Sequence, residues 1–122
     1  MPKDMEIAGL LDFYGETLTK KQRYFLECYY NDDLSLSEIA ENEGITRQGV
    51  RDAVMRAGAQ LEQLEEQLGV MQRYNEMREA LKKIIQYSDS ITEYNLRHSI
   101  SKEINDLSVM IKTEAMLLLE SD

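Results

Sequence analysis

Residues 35–57, S-L-S-E-I-A-E-N-E-G-I-T-R-Q-G-V-R-D-A-V-M-R-A, leave the backbone few options. Ser35 can cap a helix, and Glu38 three residues on completes a capping box. Gly44 supplies the left-handed conformation that a sharp helix end needs. Thr46 can cap a second helix directly afterwards. Ile39, Ala40, Ile45, Val50 and Ala53 form the small and apolar set that lets two helices cross closely. Arg47, Gln48, Arg51 and Met55 fall on a different face. This is the pattern of a helix-turn-helix whose second helix can lie in a DNA major groove.

The flanking sequence is helical as well. Ile7, Leu10, Leu11 and Tyr14 recur at spacings of three and four and predict a helix over 3–14, which Gly15 can end. Thr19 caps a predicted helix over 20–30 with Tyr24, Phe25, Cys28 and Tyr29 on its apolar side, and Asn31, Asp32 and Asp33 make a polar turn. Past the motif, Val50, Val54, Ala57, Leu61, Leu64, Leu68 and Met71 step by four and three, a heptad row of about three repeats. Two readings stand side by side: a long helix packed on its own domain, or a dimer seam. Gly69 is the expected break, and the row shifts phase after it to Tyr74, Met77, Leu81, Ile84 and Ile85, predicting a helix over 70–87. Ser88, Asp89 and Ser90 read as a turn, with Ser90 and Glu93 as a further capping box. Ile100, Ile104, Leu107, Ile111, Ala115 and Leu118 mark a last amphipathic helix, widened by Val109, Met110, Met116, Leu117 and Leu119. So broad an apolar surface needs cover on more than one side, and a partner chain is the expected source. The expectation is an all-α protein with a helix-turn-helix domain over 1–69 and an assembly region over 70–122 whose helices form a homodimer; the assembly region can also pack as one domain with the first.

Charge narrows the function. The net charge is −9. The first 69 residues carry 7 basic and 14 acidic side chains, so the helix-turn-helix half is the more acidic one. Nucleic-acid binding must therefore rest on a local basic patch and fall steeply with salt. No apolar run is long enough to span a bilayer, and M-P-K-D-M-E lacks a signal-peptide core, so no membrane insertion is expected. The single cysteine, Cys28, cannot form an internal disulfide and fits a reducing cytoplasm.

Arg47, Gln48 and Arg51 are the leading candidates for base contact, since arginine suits guanine O6/N7 and glutamine suits adenine. Their alternative is solvated surface charge, pairing with Asp52. Lys20, Lys21 and Arg23 crowd positive charge at a helix start against the macrodipole, which suits phosphate contact or simply a solvated face. Arg56 can also reach a phosphate. Gly49 is odd inside a helix and either admits a close neighbour or is a tolerated neutral change; Gly58 points to close helix packing. Tyr24, Tyr29 and Tyr30 can stack on bases, but core packing explains the first two more simply. Cys28 has no histidine near it in sequence, His98 is the only histidine, and no phosphate loop or metal-ligand spacing is present, so no enzyme, cofactor or metal is expected.

L-T-K-K-Q-R-Y-F-L-E-C-Y-Y-N-D-D-L-S-L-S-E-I-A followed by G-I-T-R-Q-G-V resembles the YlxM-like helix-turn-helix proteins and, more distantly, region 4 of bacterial sigma factors. The likeness covers roughly residues 8 to 68. It implies an all-α fold arranged like sigma region 4 and a bacterial cytoplasmic protein associated with the signal recognition particle operon. It places Thr46, Arg47, Gln48 and Arg51 at the start of the family's recognition helix. The sequence departs from the pattern at Glu43, where the residue before the turn glycine is commonly apolar. Two functions follow from the resemblance. One is a DNA-binding regulator; the other is a component of the particle's pathway that touches its RNA or protein.

Overall fold

A computed structural model describes residues 3–121. Six α-helices and no strand occur among them: α1 (Met5–Tyr14), α2 (Lys20–Leu26), α3 (Leu36–Glu43), α4 (Arg47–Leu68), α5 (Val70–His98) and α6 (Lys102–Glu120). None is long and apolar enough to cross a membrane. The chain divides into two compact units, the first ending at Gln72 and the second starting at Arg73.

In the first unit every helix start has a side-chain cap. Asp4 accepts from the Glu6 N–H at 2.9 Å, so α1 begins at Met5 rather than at Lys3. Thr19 and Gln22 form a reciprocal capping box on α2, as Ser35 and Glu38 do on α3. Gly15 does end α1, but with φ −56° it stays right-handed, and the chain runs on through a 3-10 turn, Gly15–Thr17. The helix predicted over 20–30 is α-helical only to Leu26. It then widens into a π turn, Glu27–Asn31, closed by Asp32 N–H to the Glu27 carbonyl at 3.0 Å. Cys28 and Tyr29 are buried in that turn, while Tyr24 is exposed, against the expectation that Tyr24 packs in the core.

The core gathers Ile7, Leu10 and Leu11 of α1, Phe25 and Leu26 of α2, Leu36 and Ile39 of α3, and Val50, Val54, Ala57 and Leu61 of α4. The heptad row of α4 is thus spent inside its own unit as far as Leu61; Leu64 is half-buried and Leu68 exposed. Gly58 is buried where α1 crosses α4, and a Cβ there would sit 3.5 Å from Ile7 Cδ1. Gly69 ends α4 in the left-handed region, φ +63°. The next helix is capped from afar: Tyr14 Oη accepts from Val70 N–H at 3.0 Å, and Glu65 accepts from Met71 and Gln72 N–H at 3.0 and 2.9 Å.

The second unit corrects two expectations. Ser88, Asp89 and Ser90 are helical, and α5 runs unbroken to His98. Ser90 and Thr92 turn their hydroxyls back onto the Gln86 and Ser88 carbonyls, both at 3.0 Å, which satisfies them within the helix. No capping box forms at Ser90. The turn falls at Ser99, φ +47°, and Ser101 caps α6. Asn95 secures it, donating to the Ser101 carbonyl at 2.6 Å and accepting the Ser101 N–H at 3.0 Å. Helices α5 and α6 lie antiparallel, tied by Ser88 Oγ to the Ser108 carbonyl, by Thr92 Oγ1 to Ser108 Oγ (2.6 Å), and by Arg78 to the Leu119 carbonyl (2.9 Å). The buried residues are Leu81, Ser88 and Asn95 on α5 and Ser108 and Ala115 on α6. Of the apolar row expected to be buried on α6, only Ala115 is inside.

Candidate nucleic-acid interface

The turn between α3 and α4 is built as the local sequence demands. Gly44 takes φ +68° and ψ +30°. The Ile45 N–H reaches back to the Ala40 carbonyl at 3.1 Å, the ring that closes a Schellman helix end. Thr46 is extended, and its Oγ1 accepts the Gly49 N–H at 3.0 Å, opening α4 at Arg47. Ile39, Ala40 and Val50 are buried at the crossing and Ala53 is half-buried, but Ile45 is 41% exposed and takes little part. Gly49 has a local reason. A Cβ there would come within 3.1 Å of Thr46 Oγ1, so the glycine makes room for the cap rather than for a phosphate or another helix.

Thr46, Arg47 and Gln48 are exposed on the first turn of α4, and Arg51 is half-buried one turn on. Asp52 does not pair with an arginine. It accepts from Gln48 Nε2 at 3.0 Å. Among the described residues no ion pair involves Arg47, Arg51 or Arg56, whereas Arg23 is held by Glu27 at 2.8 Å. Lys20 and Lys21 are exposed, with Lys21 Nζ 5.9 Å from the Phe25 ring.

The basic residues do not form one cluster. Gln22 Nε2 donates to Gln60 Oε1 at 3.3 Å, which puts the start of α2 beside the middle of α4. Gln60 lies thirteen residues beyond Arg47, or about 20 Å along the helix axis. Lys20, Lys21 and Arg23 are therefore set well back from the Arg47–Arg51 tip. Sequence reasoning missed Lys3, which borders the same surface groove as Arg47, Ser35 and Glu38. Lys3 pairs with Asp33, lowering that carboxyl's pKa, and its Nζ stands 4.7 Å from the Tyr29 ring centre. No sequence spacing links positions 3 and 47.

The departure at Glu43 also has an explanation. Glu43 points away from the helix crossing and is exposed. The Tyr24 hydroxyl hydrogen-bonds the Cys28 thiol and the Glu43 carboxylate, which pushes the Tyr24 pKa up to about 12. An acidic residue before the turn glycine is thus used by α2 rather than tolerated at the crossing.

Two capped helices joined by a left-handed glycine, the second presenting its first turn to solvent, define a helix-turn-helix protein. The chain belongs to the family described as "Putative helix-turn-helix protein, YlxM / p13 like", whose model matches residues 1–99. A UPF0122 protein of Acetivibrio thermocellus is 44% identical over 91 residues, covering 75% of this chain and 78% of that one. One from Geobacillus kaustophilus is 42% identical over 87 residues, covering 71% and 79%. Another, from Caldanaerobacter subterraneus, is 51% identical over 75 residues, covering 62% and 64%. The family match reaches past the 8–68 span of the sequence resemblance, through α5, and stops short of α6.

Proposed function

We propose that this protein is a homodimeric DNA-binding regulator, not an enzyme, that reads the major groove with the N-terminal turn of α4. The observation that carries the reading is the tip of that helix: Arg47 and Gln48 exposed, Arg51 one turn along, and neither arginine engaged in an ion pair among the described residues. Gln48 must exchange its bond to Asp52 for a base edge. Lys20 and Lys21, about 20 Å back along the axis, suit phosphates rather than bases, with Arg23 and Arg56 as further backbone contacts. The resemblance to YlxM-like proteins makes the signal recognition particle operon the first DNA to test.

The test is fluorescence anisotropy on the protein's own upstream DNA across a salt series. Affinity falls linearly with salt on a log–log plot, and Arg47→Ala with Arg51→Ala together weaken binding about 30-fold or more, at roughly 1–3 kcal/mol per bidentate contact. Unchanged affinity in a helical double variant overturns the proposal. A second reading draws on the charge of −9, which repels DNA and suits a basic protein partner. In that reading the chain serves the particle's pathway by touching its protein or RNA. The same series run with the particle RNA and protein separates the two.

A further inference from the structure

The hairpin of the second unit is inside out. Its two helices meet through residues spaced by seven: Leu81, Ser88 and Asn95 on one side, Ser101, Ser108 and Ala115 on the other. Most are small or polar, and they are joined by hydrogen bonds rather than apolar bulk. The large apolar side chains stand outside. On α5 Met77, Ile84 and Ile91 also recur every seven residues, with Tyr87 and Tyr94 beside them. Ile104, Ile111 and Leu118 do the same on α6, with Leu107 beside them.

Both rows emerge on one face. Each is offset from its seam in the same sense around the helix. Turning an antiparallel pair by 180° about an axis perpendicular to both helices exchanges the helices without changing faces. The opposite face is marked by the Lys112–Asp89 ion pair at 2.9 Å. On the apolar face the six residues of the two seven-spaced rows border the central groove. The tyrosines sit farther out, where the rings can be covered and the hydroxyls stay wet. A charge-free aliphatic centre flanked by tyrosines on α5 suits a protein interface, whose core is apolar, enriched in aromatic residues and depleted of charge. Arg73 and Glu114 are the charges in the rim registers.

We infer that this face is where a second copy of the chain docks, hairpin on hairpin, closing a four-helix bundle. Nine large side chains that are 38–64% exposed amount to on the order of 900 Å² of apolar surface per copy. A lone monomer ordinarily shows a largest patch of roughly 300–600 Å², and a stable interface buries roughly 800 Å² per partner. The face also carries matching rows on two antiparallel helices, so a copy of itself presents the same shape, as a two-fold contact requires. The 3–4 spacing of Met77, Ala80, Ile84, Tyr87, Ile91 and Tyr94 is that of helices packed side by side in a bundle.

The inference rests on the dimeric part of the proposed function and not on its DNA part, so the test uses protein alone. Sedimentation equilibrium of the full chain at micromolar concentration should give twice the 14.2 kDa of one chain. Ile84→Glu and Ile111→Glu should each raise the dimer dissociation constant roughly 100-fold, the effect of a charge at an interface centre, with the helical circular dichroism signal kept. Leu96→Glu, at an exposed leucine on the Asp89 side of α5, should leave the dimer intact. If a glutamate variant loses its helical signal, Tyr87→Ser with Leu107→Ser replaces it, and weakened association is again required. A monomeric wild type overturns both this inference and the dimeric reading. A dimer indifferent to the changes at Ile84 and Ile111 overturns the face alone. Equal loss in Leu96→Glu overturns it too, and so does a monomer that binds lipid vesicles through this face.

Discussion

Replacing Gly44 by alanine isolates the turn that aims α4 outward. At φ +68° a Cβ built on Gly44 meets nothing within 4 Å, so the substitution carries no packing penalty. What remains is the backbone cost of an L-residue in the left-handed region, roughly 1–2 kcal/mol. Against it stands roughly 0.4–1 kcal/mol gained by restricting the unfolded chain. The net loss is about 1 kcal/mol, or roughly 4–8 °C in the midpoint of a unit this size. Gly44→Asn should lose less, because asparagine visits that region more readily. Gly69 offers an internal replicate: φ is +63° and its surroundings are equally open, so Gly69→Ala should cost about the same. Urea and thermal unfolding followed by circular dichroism measure all three. An alanine variant at position 44 as stable as wild type would mean that the turn is not left-handed. A loss beyond about 3 kcal/mol would mean a clash that the open surroundings exclude.

Three further variants in the same unit have expected outcomes. Glu65 accepts the Tyr14 hydroxyl at 2.6 Å, and that bond holds its carboxyl below the usual 4.5. A carboxyl depressed in the folded state stabilises above its unfolded pKa and loses that contribution as pH falls through the lower folded value. Wild type should therefore lose stability below about pH 4.5 more steeply than Glu65→Gln, read by urea midpoints across an acid series; identical acid limbs would refute the assignment. Gly58→Ala, with its new Cβ at an ordinary 3.5 Å from Ile7, should gain up to about 1 kcal/mol from helix propensity. Gly49→Ala should be close to neutral, because the same gain is offset by displacement of the Thr46 cap at 3.1 Å. A Gly49→Ala gain equal to that of Gly58→Ala would show the cap contact to be dispensable.

The helix-turn-helix was readable because its signals are local. Ser35, Glu38, Gly44 and Thr46 each act within four residues of themselves, and each performs the expected role in the structure. Where a residue's role is set by a partner far along the chain, local spacing offers no such access. Even a local pairing can go another way: Asp52 reads as a partner for the arginines, but Gln48, one turn back on its face, takes it. Tyr24 fits an apolar stripe by period, yet it stands exposed at the edge of the face that buries Phe25, Cys28 and Tyr29. Glu65 caps α5 through Met71 and Gln72 although nothing in its neighbourhood marks it as a capping residue. The basic residues show the same division: Arg47, Gln48 and Arg51 share a turn by spacing alone, while the distance to Lys20 and Lys21 depends on where α2 crosses α4.

The second unit fails the sequence reading for a more general reason. Helices α5 and α6 each carry two seven-residue rows, one of small and polar residues and one of large apolar residues. A reading by hydrophobicity must bury the large row, because burial of apolar area is the stronger drive for a helix considered alone. Two helices joined by the tight turn at Ser99–Ser101 face a different constraint. They approach each other closely only where side chains are short, and Ser88 reaching the Ser108 backbone carbonyl requires such an approach. The short row is therefore spent inside the hairpin, and the large row is left for whatever arrives later. Hydrophobic pattern identifies which residues must be covered. It does not say which surface covers them, and here the polar bonds across the seam leave the large row outside the hairpin.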